Sequence, residues 1–99
     1  MTNLTSETFE AFVSLDAVTL VDFWAEWCMP CRMLAPLLET LSVTYRIAKV
    51  NAEDEHELTA KHKISALPTM LFFRRGEVVG SITGLVKKDE IIKKFQELS

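Results

Sequence analysis

The sequence predicts an α/β fold, with a central mixed β-sheet flanked by helices on both faces, in the order βαβα followed by ββα. Three observations carry that expectation. The run "AVTLVDFWA" is apolar on both alternations, as in a strand covered on both sides. A helical stripe follows it, long enough to bring the chain back for parallel pairing with a second strand, "RIAKVNA". Near the end, "TMLFFR" and "EVVGSIT" flank the dipeptide "RG", the pattern of an antiparallel hairpin.

Taken in order, the elements begin with "LTSETFEAFVS", a short amphipathic helix with Thr5 or Ser6 available as N-cap and Phe9, Phe12 and Val13 on one face. β-branched and aromatic residues mark 17–25 as the first strand. The next helix should run from about Cys28 to Tyr45, burying Leu34, Leu37, Leu38, Leu41 and Tyr45, with a kink expected at Pro36. After the second strand, "EDEHELTAKH" forms a short helix whose acidic first turn suits the positive end of its dipole. The closing helix, "KKDEIIKKFQELS", turns Ile91, Ile92, Phe95 and Leu98 inward. Asp89–Lys93 and Glu90–Lys94 are spaced for ion pairs along its outer face.

At 99 residues the chain is read as one domain, 1–99, large enough for a core without disulfide staples or a structural metal. Hydrophobic residues at 48% and charged residues at 25% exclude a disordered chain. A net charge of −3 gives no reason to expect nucleic acid or an anionic membrane as partner. "MTNLTSETFEAF" has no basic segment followed by an apolar one, and no apolar run is long enough to span a bilayer. The expectation is a cytoplasmic monomer in a reducing compartment, where a stable structural disulfide is disfavoured. The acidic run "EDEHE" reads as a solvated helix start, Arg74 and Arg75 as a hairpin turn, and His56 and His62 as surface residues.

The chain's two cysteines stand in "WCMPC". Residues three apart at a helix start are neighbours within disulfide reach. Cys28 falls near the N-cap, where unpaired N–H groups and the helix dipole stabilise a thiolate. Cys31, one turn deeper and less exposed, is placed to attack a mixed disulfide formed at Cys28. Pro30 suits an early helical position, where a missing N–H goes unneeded. A CxxC beside a βαβ unit reads as a redox motif. Three other readings compete: half of a zinc site, for which only His56 and His62 remain as nitrogen ligands; buried bystanders; and a structural disulfide, whose short loop would constrain the unfolded chain little. Asp22, alone in an apolar strand, should have a raised pKa, as a general base near neutrality needs; exposure by strand twist is the alternative.

"VDFWAEWCMPCRMLAP", "ALPTMLFF", "GEVVGSITG" and the terminal helix together closely resemble the thioredoxin family, in this order and nearly end to end. The resemblance implies the thioredoxin fold and a thiol–disulfide oxidoreductase that reduces protein disulfides, serving electron transport and cell redox homeostasis. Cys28 is then the attacking thiol and Cys31 the resolving thiol. Asp22 matches the family's buried aspartate, which takes a proton from Cys31, and Lys49 matches that aspartate's partner. Pro68 matches a cis-proline facing the disulfide, exposing the backbone of Leu67 to an extended substrate strand. Trp27, Met29, Leu67, Pro68, Gly84 and Leu85 would form the apolar rim, while Trp24 is expected in the core.

No bound cofactor or metal is implied beyond the redox-active Cys28–Cys31 disulfide. NADPH enters only indirectly, through a separate thioredoxin reductase, and the other partners are disulfide-containing substrate proteins. The chain departs from the family at Met29 and Ala66, both commonly glycine, and between Tyr45 and Lys49, which is shorter than usual. Two rivals remain at this stage: an oxidase or isomerase of the same fold, and a non-catalytic binding module using the same surface.

Overall fold

The computed structural model describes residues 1–99 and has four helices and four strands: α1 Phe9–Val13, β1 Thr19–Trp24, α2 Met29–Leu41, β2 Arg46–Asn51, α3 His56–Lys61, β3 Thr69–Arg74, β4 Glu77–Thr83 and α4 Lys88–Leu98. The strands form one sheet in the order β2-β1-β3-β4. β1 pairs parallel with β2, and the crossover between them is α2; the β1–β3 and β3–β4 pairs are antiparallel.

Period-two alternation sorts the strand residues into two cores, one on each side of the sheet. Val21, Phe23, Ala48, Val50, Leu71 and Phe73 join Leu4, Phe9, Val13 and Leu58 under α1 and α3. On the opposite face, Leu20, Ile47, Met70 and Phe72 meet Leu34, Leu38 and Leu41 of α2 and Ile91 and Phe95 of α4. This is why β1 carries no polar alternation: both of its faces are covered, and the strand is buried except at Trp24.

The helices are shorter than their sequence patterns predict. α1 starts at Phe9 with Thr8 at its N-cap, in place of Thr5 or Ser6. Thr5 opens the preceding turn, and its carbonyl accepts the N–H groups of Thr8 and Phe9 at 3.1 and 2.9 Å. α2 ends at Leu41 because a turn follows; Tyr45 therefore reaches the core from outside the helix, its ring stacked on Phe95 at 4.4 Å between centroids. α2 runs on through Pro36 for a further five residues. On α4, Asp89–Lys93 and Glu90–Lys94 close no ion pair; the four charged side chains stay in solvent or part-covered, where such contacts gain little.

The hairpin falls where the dipeptide places it. Arg75 and Gly76 both take positive φ, 53° and 79°, the turn whose twist matches that of paired strands. Register shifts once, between Phe72 and Phe73, so β4 carries one extra residue. Arg74 and Arg75 each bond one oxygen of Asp16 at 2.8 Å, tying the hairpin to the loop before β1. Those two guanidinium bonds hold the exposed Asp16 carboxyl down at about 2.

His62 overturns the expectation of a surface histidine. Its ring lies 5.1, 5.9 and 5.5 Å from those of Phe9, Phe23 and Phe73, with Nδ1 2.9 Å from the Leu58 carbonyl oxygen. Helix α3 stops at Lys61, and the chain folds the next ring inward. His56 is exposed, as expected.

Candidate functional site

The carboxyl end of β1 delivers the chain to the two thiols. After Trp24 a tight turn forms, in which the Cys28 N–H donates to the Ala25 carbonyl at 3.1 Å. Cys28 is the N-cap of α2, with extended backbone at φ −86° and ψ 106°, Met29 and Pro30 beginning the helix behind it. Cys28 and Cys31 are joined as a disulfide with Cα atoms 5.3 Å apart. The Cys31 N–H points at the Cys28 sulfur across 3.2 Å, so one of the helix's unpaired donors is used on that atom. Once the bond is reduced, this donor and the helix dipole favour the thiolate at Cys28.

Both cysteines are well covered. Cys28 is 4% exposed and Cys31 2%, so the predicted difference in access is slight and the attacking sulfur shows only a narrow face. Ala25 and the two cysteines form a small apolar cluster against which Trp24 and Leu67 pack. The rim residues stand on the loop into α2 and its first residue, on the loop before β3 and on the turn after β4. Trp27 and Met29, on either side of Cys28, are 68% and 60% exposed. Leu67 is half-buried and joined to the buried Pro68 by a cis peptide bond. Gly84 donates its N–H to the Pro68 carbonyl at 2.8 Å, and Leu85 follows it, exposed. That bond sets the turn after β4 beside the proline. Gly84 has room for a Cβ, but its φ of +91° is one that side chains disfavour. Ala66, the other departure near the proline, is exposed, and its carbonyl accepts the Thr69 hydroxyl at 2.6 Å. None of the molecule's surface clefts is lined by Cys28, Cys31 or Pro68.

Asp22 is 1% exposed, on the sheet face that α2 covers, and its Oδ1 has no hydrogen-bond partner. Burial pushes its pKa up to about 7, opposed by the positive charge of Lys49. Lys49 is the β2 residue in register with Asp22, and Met70 is its β3 counterpart. The lysine makes no ion pair with the aspartate. Its Nζ lies over the Trp24 ring, 4.7 Å from the centroid. Trp24, expected in the core, is only half-buried: one edge meets the cysteine cluster, and Nε1 donates to Asn3 Oδ1 at 3.1 Å. Asn3 had no signal in the sequence, because its place depends on a bridge to Lys49, 46 positions away. No three His, Cys, Asp or Glu side chains converge as a metal site would require.

Two expectations of the sequence are met: a cysteine pair at the start of α2, and a buried carboxyl of raised pKa on the strand that leads to it. The family model for thioredoxin matches residues 1–97. The chain belongs to the thioredoxin family.

Among curated thioredoxins, it is 40% identical over 98 residues to thioredoxin 2 of Chlorobaculum tepidum, covering 94% of this chain and 90% of that one. Identity to the thioredoxin of Rickettsia bellii is 38% over 96 residues, covering 92% and 91%. The crystal structure of the thioredoxin of Malassezia sympodialis superposes with a TM-score of 0.85 at 26% identity, covering 94% of this chain and 84% of that one. With its CxxC pair intact, this thioredoxin-family chain is a protein-disulfide oxidoreductase.

Proposed function

We propose that the protein works as a cytoplasmic reductase of protein disulfides through a mixed-disulfide intermediate. The observation that carries this reading is the Cys28 sulfur at the α2 N-cap, already accepting the Cys31 N–H and within bonding reach of Cys31. In the reduced protein, the Cys28 thiolate attacks one sulfur of a substrate disulfide. A new S–S bond forms, the substrate's own bond breaks, and its second sulfur leaves as a thiolate. Asp22 takes the proton of the Cys31 thiol. The Cys31 thiolate then attacks the Cys28 sulfur, the mixed disulfide breaks, and the substrate departs reduced. Two electrons have passed from the dithiol to the substrate, leaving the Cys28–Cys31 bond and a proton on Asp22, which goes to solvent.

A carboxyl with a pKa near 7 suits this exchange, since it holds and releases a proton at working pH. Lys49 tunes that carboxyl, and Pro30 starts the helix without leaving an N–H unpaired in its first turn. Trp27, Met29, Leu67, Pro68, Gly84 and Leu85 receive the substrate, whose extended backbone pairs with Leu67. Re-reduction falls to a thioredoxin reductase drawing on NADPH, which makes the protein an electron carrier in cell redox homeostasis.

The test is an NADPH-coupled disulfide reduction assay with thioredoxin reductase. The natural chain should turn over, and Cys28→Ser should be inactive. A Cys28–Cys31 couple in equilibrium with glutathione at a potential well above the cytosolic poise would reverse the direction and make the protein an oxidase. Partner capture that survives replacement of both cysteines by serine would show a binding module instead.

A further inference from the structure

Residues 2–4 lie along the outer edge of β2 and clamp one residue of it. The Thr2 carbonyl accepts the Lys49 N–H at 2.8 Å, and the Leu4 N–H donates to the Lys49 carbonyl at 2.7 Å. Asn3, between them, is the parallel bridge partner of Lys49. Its Oδ1 accepts the Trp24 indole N–H at 3.1 Å, and the Lys49 ammonium rests over that indole. Trp24 is two residues beyond Asp22 on the same strand, hence on the same face, and Lys49 is Asp22's register neighbour. The backbone of Lys49, its side-chain platform and the lock on that platform thus all run through one short segment.

We infer that Asn3 is a positioning residue for the redox reaction: through the Trp24 indole it fixes the Lys49 ammonium, and so sets the field felt by the Asp22 carboxyl. A lysine side chain has several rotatable bonds and a strongly hydrated head. Left without a platform, the ammonium moves toward water, where its action on a buried carboxylate is weakened by the solvent dielectric. The ring serves as a platform while its orientation is held: it packs on the cysteine cluster, and the Asn3 bond fixes its Nε1 edge.

The other cation packed on that side of the sheet, the Met1 α-ammonium, is already paired with Glu39 of α2 at 3.5 Å. On the Asp22 face, β3 offers Met70 and Phe72, α2 its disulfide cysteines with Leu34 and Leu38, and α4 Ile91 and Phe95. The charged residues of α2, Arg32 and Glu39, are exposed, as are Lys88, Asp89, Glu90, Lys93 and Glu97 of α4; Lys94 lies against Gly80 of β4. The catalytic consequence rests on the reading that Asp22 exchanges its proton with Cys31; the effect on the carboxyl itself does not.

The experiment is a carboxyl-carbon NMR titration of Asp22 in the oxidised protein, where the bonded cysteines contribute no titration. Lys49→Met should raise the Asp22 midpoint by about 1 unit, the scale of a nearby opposite charge. Asn3→Ala should raise it by a fraction of that. Trp24→Phe, which keeps a ring but lacks the N–H, should shift it in the same direction, and serves alone if Asn3→Ala does not fold. Asn3→Ala combined with Lys49→Met should go no higher than Lys49→Met. An unchanged or lowered midpoint in Asn3→Ala, or a shift that adds in full to that of Lys49→Met, overturns the inference. A lowered melting temperature with the midpoint unmoved overturns it too, since that is all a merely structural role would give. The pH–rate curve for disulfide reduction then separates the two readings. If the midpoint moves while the curve stays fixed, the positioning stands and Asp22 is not the proton acceptor.

Discussion

Cys28 combines two demands that pull against each other: a sulfur that ionises readily needs polar surroundings, yet this one is almost wholly covered. The N-cap position reconciles them, because the polar surroundings are backbone N–H groups supplied by the helix itself. The thiol of the reduced protein should therefore titrate below the ~8.5 of a free cysteine, followed by thiolate absorbance. Cys31→Ser should trap substrates as disulfide-linked adducts through Cys28, seen as bands on non-reducing gels that vanish on reduction. Met29 offers a separate measurement. Truncating its exposed thioether to glycine removes apolar contact with a docked partner, so KM should rise by roughly fivefold with kcat little changed. At this scale the sequence was most legible where the chemistry is local. The cysteines, Pro30 and the isolated Asp22 announce themselves within one strand–turn–helix, whereas Asn3 and His62 gain their places from partners remote in sequence.

Among the elements, the hairpin and the terminal helix show best how local rules and packing divide the work. The Arg75–Gly76 turn needs two positive φ angles, and Gly76 supplies the larger. Gly76→Ala should cost about 1–2 kcal/mol in guanidinium unfolding, with no change in redox activity, because the turn lies at the opposite end of β3 from Pro68. α4 depends instead on Phe95, which is stacked on Tyr45 and meets Phe72 edge-on at 5.1 Å. Phe95→Ala should cost about 3–5 kcal/mol by the same measurement. All eight elements and their strand or helix character follow from apolar period and turn chemistry. Their ends do not, since a turn opened at Thr5 delays the start of α1 and another after Leu41 ends α2. Tyr45 fits the α2 stripe by spacing, yet reaches the same core from the loop beyond.

For the molecule as a whole, the buried Asp22 makes stability depend on pH. Its carboxyl binds a proton at about 7 in the folded chain against 3.8 in the unfolded one, so between those values the native state holds more protons. Stability must then fall as pH rises across that window, by up to about 4 kcal/mol at roughly 1.4 kcal/mol per pH unit. Asp22→Asn should remove this dependence: measured in the oxidised protein, its stability relative to the natural chain should improve from pH 4 to 7 and level off above. Asp16 acts oppositely, its arginine pairs being lost only as acid approaches its lowered pKa. The fold class was readable because both faces of one sheet had to be covered. The close cover over Cys28 was not, since exposure is a property of the assembled surface. It has an effect on clients. A nearly hidden sulfur on a face without a cleft can meet only a crosslink that protrudes from its owner. Bonds recessed in a tightly folded client stay out of reach until that client loosens, so the speed of their cleavage becomes a gauge of how often it breathes.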